Sequence, residues 1–184
     1  MSTNKLNENT PISFTDGSTV YKKLAIDYIT HKKGFFILAP SGAGKTYFVN
    51  NQTDKHWVDG DKLWQVTGAH PDVAWWKMGL DIINEVDQRS DIITVQAKKL
   101  GFWIMGASNF WLKPDAIVIP NWGTHKKYIK QREETAYDGG ATTKDFEQVQ
   151  SHRKVILEWE KQGVPKFQSI QEAADYCKSL INRI

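Results

Sequence analysis

The stretch Phe35-Phe36-Ile37-Leu38-Ala39-Pro40-Ser41-Gly42-Ala43-Gly44-Lys45-Thr46 constrains this chain more than any other. Its first four residues are apolar without alternation. Such a run suits a strand buried on both faces, as in a parallel sheet. A glycine-rich turn follows at 39–44, and then a predicted helix from Lys45 to about Asn51. Strand, turn and helix in that order make a device for holding anions. Gly42 and Gly44 let successive N–H groups face one point, and the helix start adds its positive dipole end. Lys45 supplies a point charge that reaches phosphate oxygens, and the Thr46 hydroxyl is a hard-oxygen ligand suited to Mg²⁺.

The run from Ala39 to Thr46 matches the Walker A pattern, or P-loop, with Ala39 in place of the first glycine. Ser41, Gly42, Ala43, Gly44, Lys45 and Thr46 are therefore the expected binding set for ATP, with Thr46 on the metal.

The rest of the chain keeps one rhythm. Short apolar runs at 56–58, 102–105, 117–119 and 164–167 read as further strands. Helical spacing fills the intervals: 21–33 with Gly34 as its stop, 73–100 as two helices meeting near Ser90, 124–135, 146–159, and a last helix opened by Ser169 and Glu172 at capping-box spacing. Alternation of this kind predicts an α/β three-layer sandwich, with an about five-stranded parallel sheet flanked by helices and right-handed crossovers. Residues 1–18 are polar, contain Pro11 and Gly17, and read as a flexible leading segment before a single domain over 19–184.

Composition removes several classes. One cysteine in 184 residues, Cys177 on an apolar helix face, excludes an internal disulfide framework and a cysteine-rich zinc module. The five histidines lack zinc-site spacing. No apolar run approaches the ~20 residues of a membrane span, and the first residues lack a signal-peptide core. The expectation is a cytoplasmic protein with no membrane partner. A net charge of +3 is too small to argue for nucleic acid by itself.

The third strand ends Met105-Gly106-Ala107-Ser108-Asn109, without the carboxylate that many P-loop proteins place there for Mg²⁺. Guanine-specifying motifs are also missing from their expected places. Two acids stand instead at the end of strand two, in Val58-Asp59-Gly60-Asp61. Alternate residues of an extended strand end point the same way, so both acids are expected to face one site. One would support the metal, with Asp59 assigned to it. The other, Asp61, would orient an acceptor hydroxyl and take its proton. The residues leave open which acid does which.

Taken together, the P-loop, the acid pair after strand two and the missing third-strand acid resemble the small P-loop kinases. That group includes shikimate, gluconate, adenylylsulfate, nucleoside and nucleotide kinases. Asp59-Gly60-Asp61 is similar to the Asp-Gly-Asp of adenylylsulfate kinases, but Lys62-Leu63-Trp64-Gln65 stands where those carry an arginine-rich acceptor pattern. The likeness covers the sheet plan over most of the chain, and its specific residues are confined to 39–61. It implies a P-loop NTPase-type fold and an ATP-dependent phosphotransferase requiring Mg²⁺. It also implies a helical lid over about 124–160, with Asp138-Gly139-Gly140 at its tip. Arg132 is the first choice for a transition-state cation, because its fork of donors matches phosphate oxygens. Lys126, Lys130 and Arg153 are further lid cations. Such kinases often dimerise, so a homodimer is compatible, although no dimer face is marked.

The resemblance places the acceptor between strands two and three. Trp64, His70, Trp75, Trp76, Lys77, Arg89 and Lys98 fall there. Singly, the indoles at 64, 75 and 76 read as packing, as do Trp103 and Trp159. As a set beside cations they favour a flat base over a small sugar acid. The expected acceptor is thus a nucleoside, a nucleotide, or a base or end in DNA, in nucleotide metabolism or DNA modification. Viral kinases that phosphorylate a hydroxymethylated pyrimidine within DNA belong to the same broad group. The rival reading is a P-loop NTPase stimulated by DNA or a protein partner, with no phosphate acceptor.

Overall fold

The computed structural model describes residues 20–135, 137 and 139–183, with backbone alone for 20–23. The leading segment 1–18 and Asp138 of the expected lid tip lie outside the described residues. Strands are β1 (Phe35–Leu38), β2 (Trp57–Asp59), β3 (Trp103–Gly106), β4 (Ala116–Val118) and β5 (Lys166–Phe167). Helices are α1 (Val20–Asp27), α2 (Lys45–Asn51), α3 (Gly60–Val66), α4 (Leu80–Lys99), α5 (Trp122–Thr135), α6 (Phe146–Lys161) and α7 (Ile170–Ile181). The strands form one parallel sheet in the order β2-β3-β1-β4-β5. In it Ile37 is level with Ala116, and Ile117 with Lys166. Every residue of β1, β3 and β4 is buried, as continuous apolar runs require. The α/β class and the five parallel strands are those expected from the alternation.

The chain divides into two compact units. The first comprises the chain up to Phe35, Thr53–Ile104 and Ser108–Leu112. The second comprises Phe36–Gln52, Met105–Ala107 and the chain from Lys113 onward. In the first unit α3 and α4 pack together, and the buried Trp64 indole donates to Thr94 Oγ1 at 3.1 Å. In the second, α6 and α7 pack on β4, with Ile156, Ala173 and Cys177 buried. The capping box opening α7 forms as read: Glu172 N–H donates to Ser169 Oγ at 3.2 Å, and Ser169 N–H to Glu172 Oε2 at 3.1 Å.

Three boundaries and one burial differ from expectation. Helix α1 stops at Asp27, so Gly34 does not end it. Instead, a Cβ at Gly34 would collide with the Lys98 backbone, and glycine permits that close approach. Helix α4 runs unbroken through Ser90, whose hydroxyl donates to the Val86 carbonyl at 2.9 Å and is satisfied inside the helix. Strand β2 ends at Asp59 and α3 begins at once with Gly60, where an extended Asp-x-Asp was expected. Trp159 is half-buried rather than core.

Candidate phosphate-binding site

The glycine-rich loop joins β1 to α2 in the second unit. Gly42 and Gly44 have φ of +80° and +99°, the left-handed region that glycine enters without strain. The Ala43 N–H donates to the Pro40 carbonyl at 3.2 Å and makes the turn. Lys45 opens α2 and is only 4% exposed. Its ammonium donates to the Ala39 and Pro40 carbonyls at 3.0 and 2.8 Å, folding back on the loop that precedes it.

Helix α5 lies against this loop. A Cβ on Gly42 would stand under 3.0 Å from Ile129 Cγ1 and 3.5 Å from His125 Nε2. The buried His125 ring has Nε2 at 2.7 Å from the Ser41 carbonyl and Nδ1 at 2.9 Å from Arg153 Nη1. A guanidinium can only donate, so Nδ1 accepts, and Nε2 carries the hydrogen given to Ser41. The imidazole is therefore neutral. Burial first lowers its pKa to about 4, and the charges of Arg153, Lys45 and Arg132 act in the same direction, against the Ser41 bond. Burial lowers His152 to about 4 as well, with Lys45 and His125 adding to it.

Arg132, the expected transition-state cation, is held beside the same loop. Its Nη2 donates to the Ala141 carbonyl and lies 3.5 Å from Ser41 Oγ, which also accepts from the Ala141 N–H at 3.2 Å. Gly140 packs on the guanidinium, where a Cβ would come within 2.8 Å of both terminal nitrogens. The other cations expected for a lid are placed differently. Arg153 meets the loop through His125, Lys126 lies over the Trp122 ring at 5.7 Å, and Lys130 is exposed.

The acid pair belongs to the first unit. Asp59 is 2% exposed, and its carboxylate accepts from the Asp61 N–H at 3.0 Å, capping α3. It also lines a cleft of about 150 Å³ with Asp27, Tyr28 and Lys62. Asp61 sits in the first helical turn. The premise that both acids extend from one strand end is therefore corrected: the cap bends the chain into a helix between them. Trp64 is fully buried and bonded to Thr94, which leaves no ring face for a base. Trp75 and Trp76 are half-buried, and Trp75 meets the His70 ring edge-on at 4.8 Å.

Around His70 lies a polar cluster that the sequence reading missed. His70 Nε2 is 3.1 Å from Ser90 Oγ and 3.2 Å from Ser108 Oγ. Burial lowers the imidazole to about 4. Asp87 bonds Ser108. Burial pushes its carboxyl up to about 7, the Ser108 bond opposes this, and the Asp91 charge adds to it. Asp91 Oδ2 accepts the N–H groups of Phe110, Trp111 and Leu112 at 2.8, 2.7 and 3.1 Å. Burial raises this carboxyl to about 6 against those three bonds. The sequence did carry a signal: Asp87, Ser90, Asp91 and Thr94 recur at helical spacing, a polar stripe on the inner face of α4.

Comparison with known protein families, with curated proteins and with solved structures finds no match.

Proposed function

We propose that the protein is an ATP-dependent, Mg²⁺-requiring kinase of the P-loop type. It moves the γ-phosphate to an acceptor that is a nucleoside, a nucleotide, or a base or end in DNA. The observation that carries this reading is the gathering of three cations at the glycine-rich loop: Lys45 on the Ala39 and Pro40 carbonyls, Arg132 beside Ser41, and Arg153 through His125. A loop with two left-handed glycines and a gathering of cations is a receptor for a polyphosphate. Phosphoryl transfer needs positioning and charge neutralisation more than covalent help.

In this reading the amides of residues 42–46 cradle the phosphates. Lys45 exchanges the Ala39 and Pro40 carbonyls for phosphate oxygens, and Arg132 neutralises the transferring group. Among the described residues no three His, Cys, Asp or Glu side chains gather as a metal site. Mg²⁺ takes few protein ligands and completes its shell with substrate phosphates and water. Thr46 would ligate it and Asp59 would support it, and the ion would supply neutralisation of phosphate charge. The acceptor oxygen bonds to the γ-phosphorus, the bond to the β-phosphate oxygen breaks, and the acceptor proton passes to a carboxylate. Asp61 is the sequence-based choice for that carboxylate. Trp75, Trp76 and His70 would meet the acceptor ring.

The test is incubation with γ-labelled ATP and Mg²⁺, beside Lys45→Ala. The acceptor pool holds nucleosides, nucleoside monophosphates, adenylylsulfate, and DNA with plain, 5′-hydroxyl and hydroxymethylated bases. Label in one acceptor fraction, falling about 10²-fold or more in the variant, is expected. Equal transfer by both proteins sinks the mechanism. Label only in free phosphate, rising with DNA, replaces the kinase with a DNA-stimulated NTPase.

A further inference from the structure

A groove of about 250 Å³ in the second unit is lined by Trp122, Gln150, Arg153, Lys154 and Leu157. The Arg153 guanidinium lies over the Trp122 ring at 5.3 Å, and Lys126 Nζ at 5.7 Å. One nitrogen of Arg153 is held by neutral acceptors alone, the Pro120 carbonyl at 2.7 Å and His125 Nδ1 at 2.9 Å. Among the described residues, Lys126, Lys130, Arg153 and Lys154 pair with no carboxylate. Burying part of a guanidinium without a counter-charge is costly, so the groove favours an anion.

The pattern around the groove says what kind of anion. Trp122, Lys126 and Lys130 recur every fourth residue along α5, about 6 Å apart at the helical rise. Arg153 and Lys154 face the groove from α6. Four cations spread over two helices suit an extended anion with several charges better than a single small one. Trp122 is half-buried, with Phe146 and His125 packed edge-on against it, so part of an indole stays available to a base. Two acids of α6 border the groove: Glu147 one turn before Gln150, and Glu158 directly after Leu157, the latter already paired with Lys161 at 2.8 Å.

We propose that this groove binds single-stranded nucleic acid, with successive phosphates on Arg153, Lys154, Lys126 and Lys130 and a base against Trp122. The groove touches the glycine-rich loop through Arg153 and His125, but its binding of a strand needs no phosphate transfer and stands without it.

The experiment is fluorescence anisotropy of a 5′-labelled 12-residue oligothymidylate, without ATP, across a salt series. Four phosphate contacts on a single strand give a slope of log K against log[salt] of about −3. The triple variant Lys126→Gln/Lys130→Gln/Lys154→Gln alters only exposed lysines, and circular dichroism checks its fold. Its slope is expected to be shallower by about 2. No binding by the unaltered protein at ~100 μM, the weak end of non-specific affinity, overturns the proposal. So does an unchanged slope in the triple variant. Thymidine monophosphate competing as well per phosphate as the oligomer reduces the groove to a small-anion site, and polyglutamate competing equally makes it a docking site for acidic protein. Either result also overturns it.

Discussion

Replacing Gly42 with alanine separates two costs that one residue avoids. The first is the backbone. At φ +80° an L-residue pays the left-handed penalty, about 1–2 kcal/mol. The second is space. The new Cβ would stand under 3.0 Å from Ile129 Cγ1, on a side chain that is itself fully buried. Overpacking of that kind costs about 1–3 kcal/mol. The two together give about 2–5 kcal/mol of lost stability. Gly44 supplies the control, because its φ is +99° and nothing lies within 4 Å of a Cβ there. Gly44→Ala should cost the backbone share alone, about 1–2 kcal/mol. Urea denaturation of the two variants measures the difference. The steric share can then be isolated by a double-mutant cycle with Ile129→Ala, which removes the obstructing atoms at its own cavity cost. A favourable coupling of about 1–3 kcal/mol is expected between Gly42→Ala and Ile129→Ala, and none between Gly44→Ala and Ile129→Ala. Equal stability of the two glycine variants, or no coupling at position 42, refutes the reasoning. Helix α5 would then not be pressed on the loop.

Asp87 should leave a signature in stability against pH. Its folded pKa, about 7, lies above the ordinary carboxylate value, so the native state holds the proton over about pH 4–7 and stability falls as pH rises through that window. His70, His125 and His152, each lowered to about 4, act oppositely: their contribution is lost as pH drops from about 6.5 to 4. The difference between Asp87→Asn and the unaltered protein cancels the histidines. It should move in favour of the variant between pH 4 and 7 and level off above. Parallel denaturation curves would mean that Asp87 is not the buried acid described. At Asp59 two substitutions part the cap from any role in activity. Asp59→Asn keeps a capping oxygen and most of the stability, while Asp59→Ala loses about 0.5–2 kcal/mol. Thermal melts in which the two variants are equally destabilised would count against the cap.

How legible the molecule was depended on whether the deciding contact was local. Phe35-Phe36-Ile37-Leu38 declared a buried strand because four apolar residues in a row leave no face for solvent. Ser169 and Glu172 declared the start of α7 because both halves of a capping box lie within four residues. Asp59-Gly60-Asp61 misled because Asp-Gly is also a turn dipeptide, and a capping aspartate looks the same as a strand-end acid until its N–H donor is seen. Ser90 looked like a break for a similar reason, and its bond to Val86 is invisible to propensity. The site needed partners far apart in the chain. Arg132 was chosen for its fork, yet its tether at Ser41 spans 91 positions. The link from Ser108 to His70 spans 38. Periodicity found neither, although the stripe along α4 was already periodic. Lys126 is recognisable as a charge in the sequence, but its place over the Trp122 ring is not.

The path of the chain through its two units bears on how the protein is made. The first unit lacks Ser108–Leu112, whose N–H groups hold the Asp91 carboxylate, until that segment has emerged from the ribosome. The second has only Phe36–Gln52 and Met105–Ala107 in hand at that moment. The glycine-rich loop is thus among the first parts synthesised and among the last to be supported, since Ile129, Arg132 and Ala141 all come later. A nascent chain halted before α5 carries the glycine-rich loop without the helix that packs on it at Gly42. Slow translation through residues 105–125 would prolong that state.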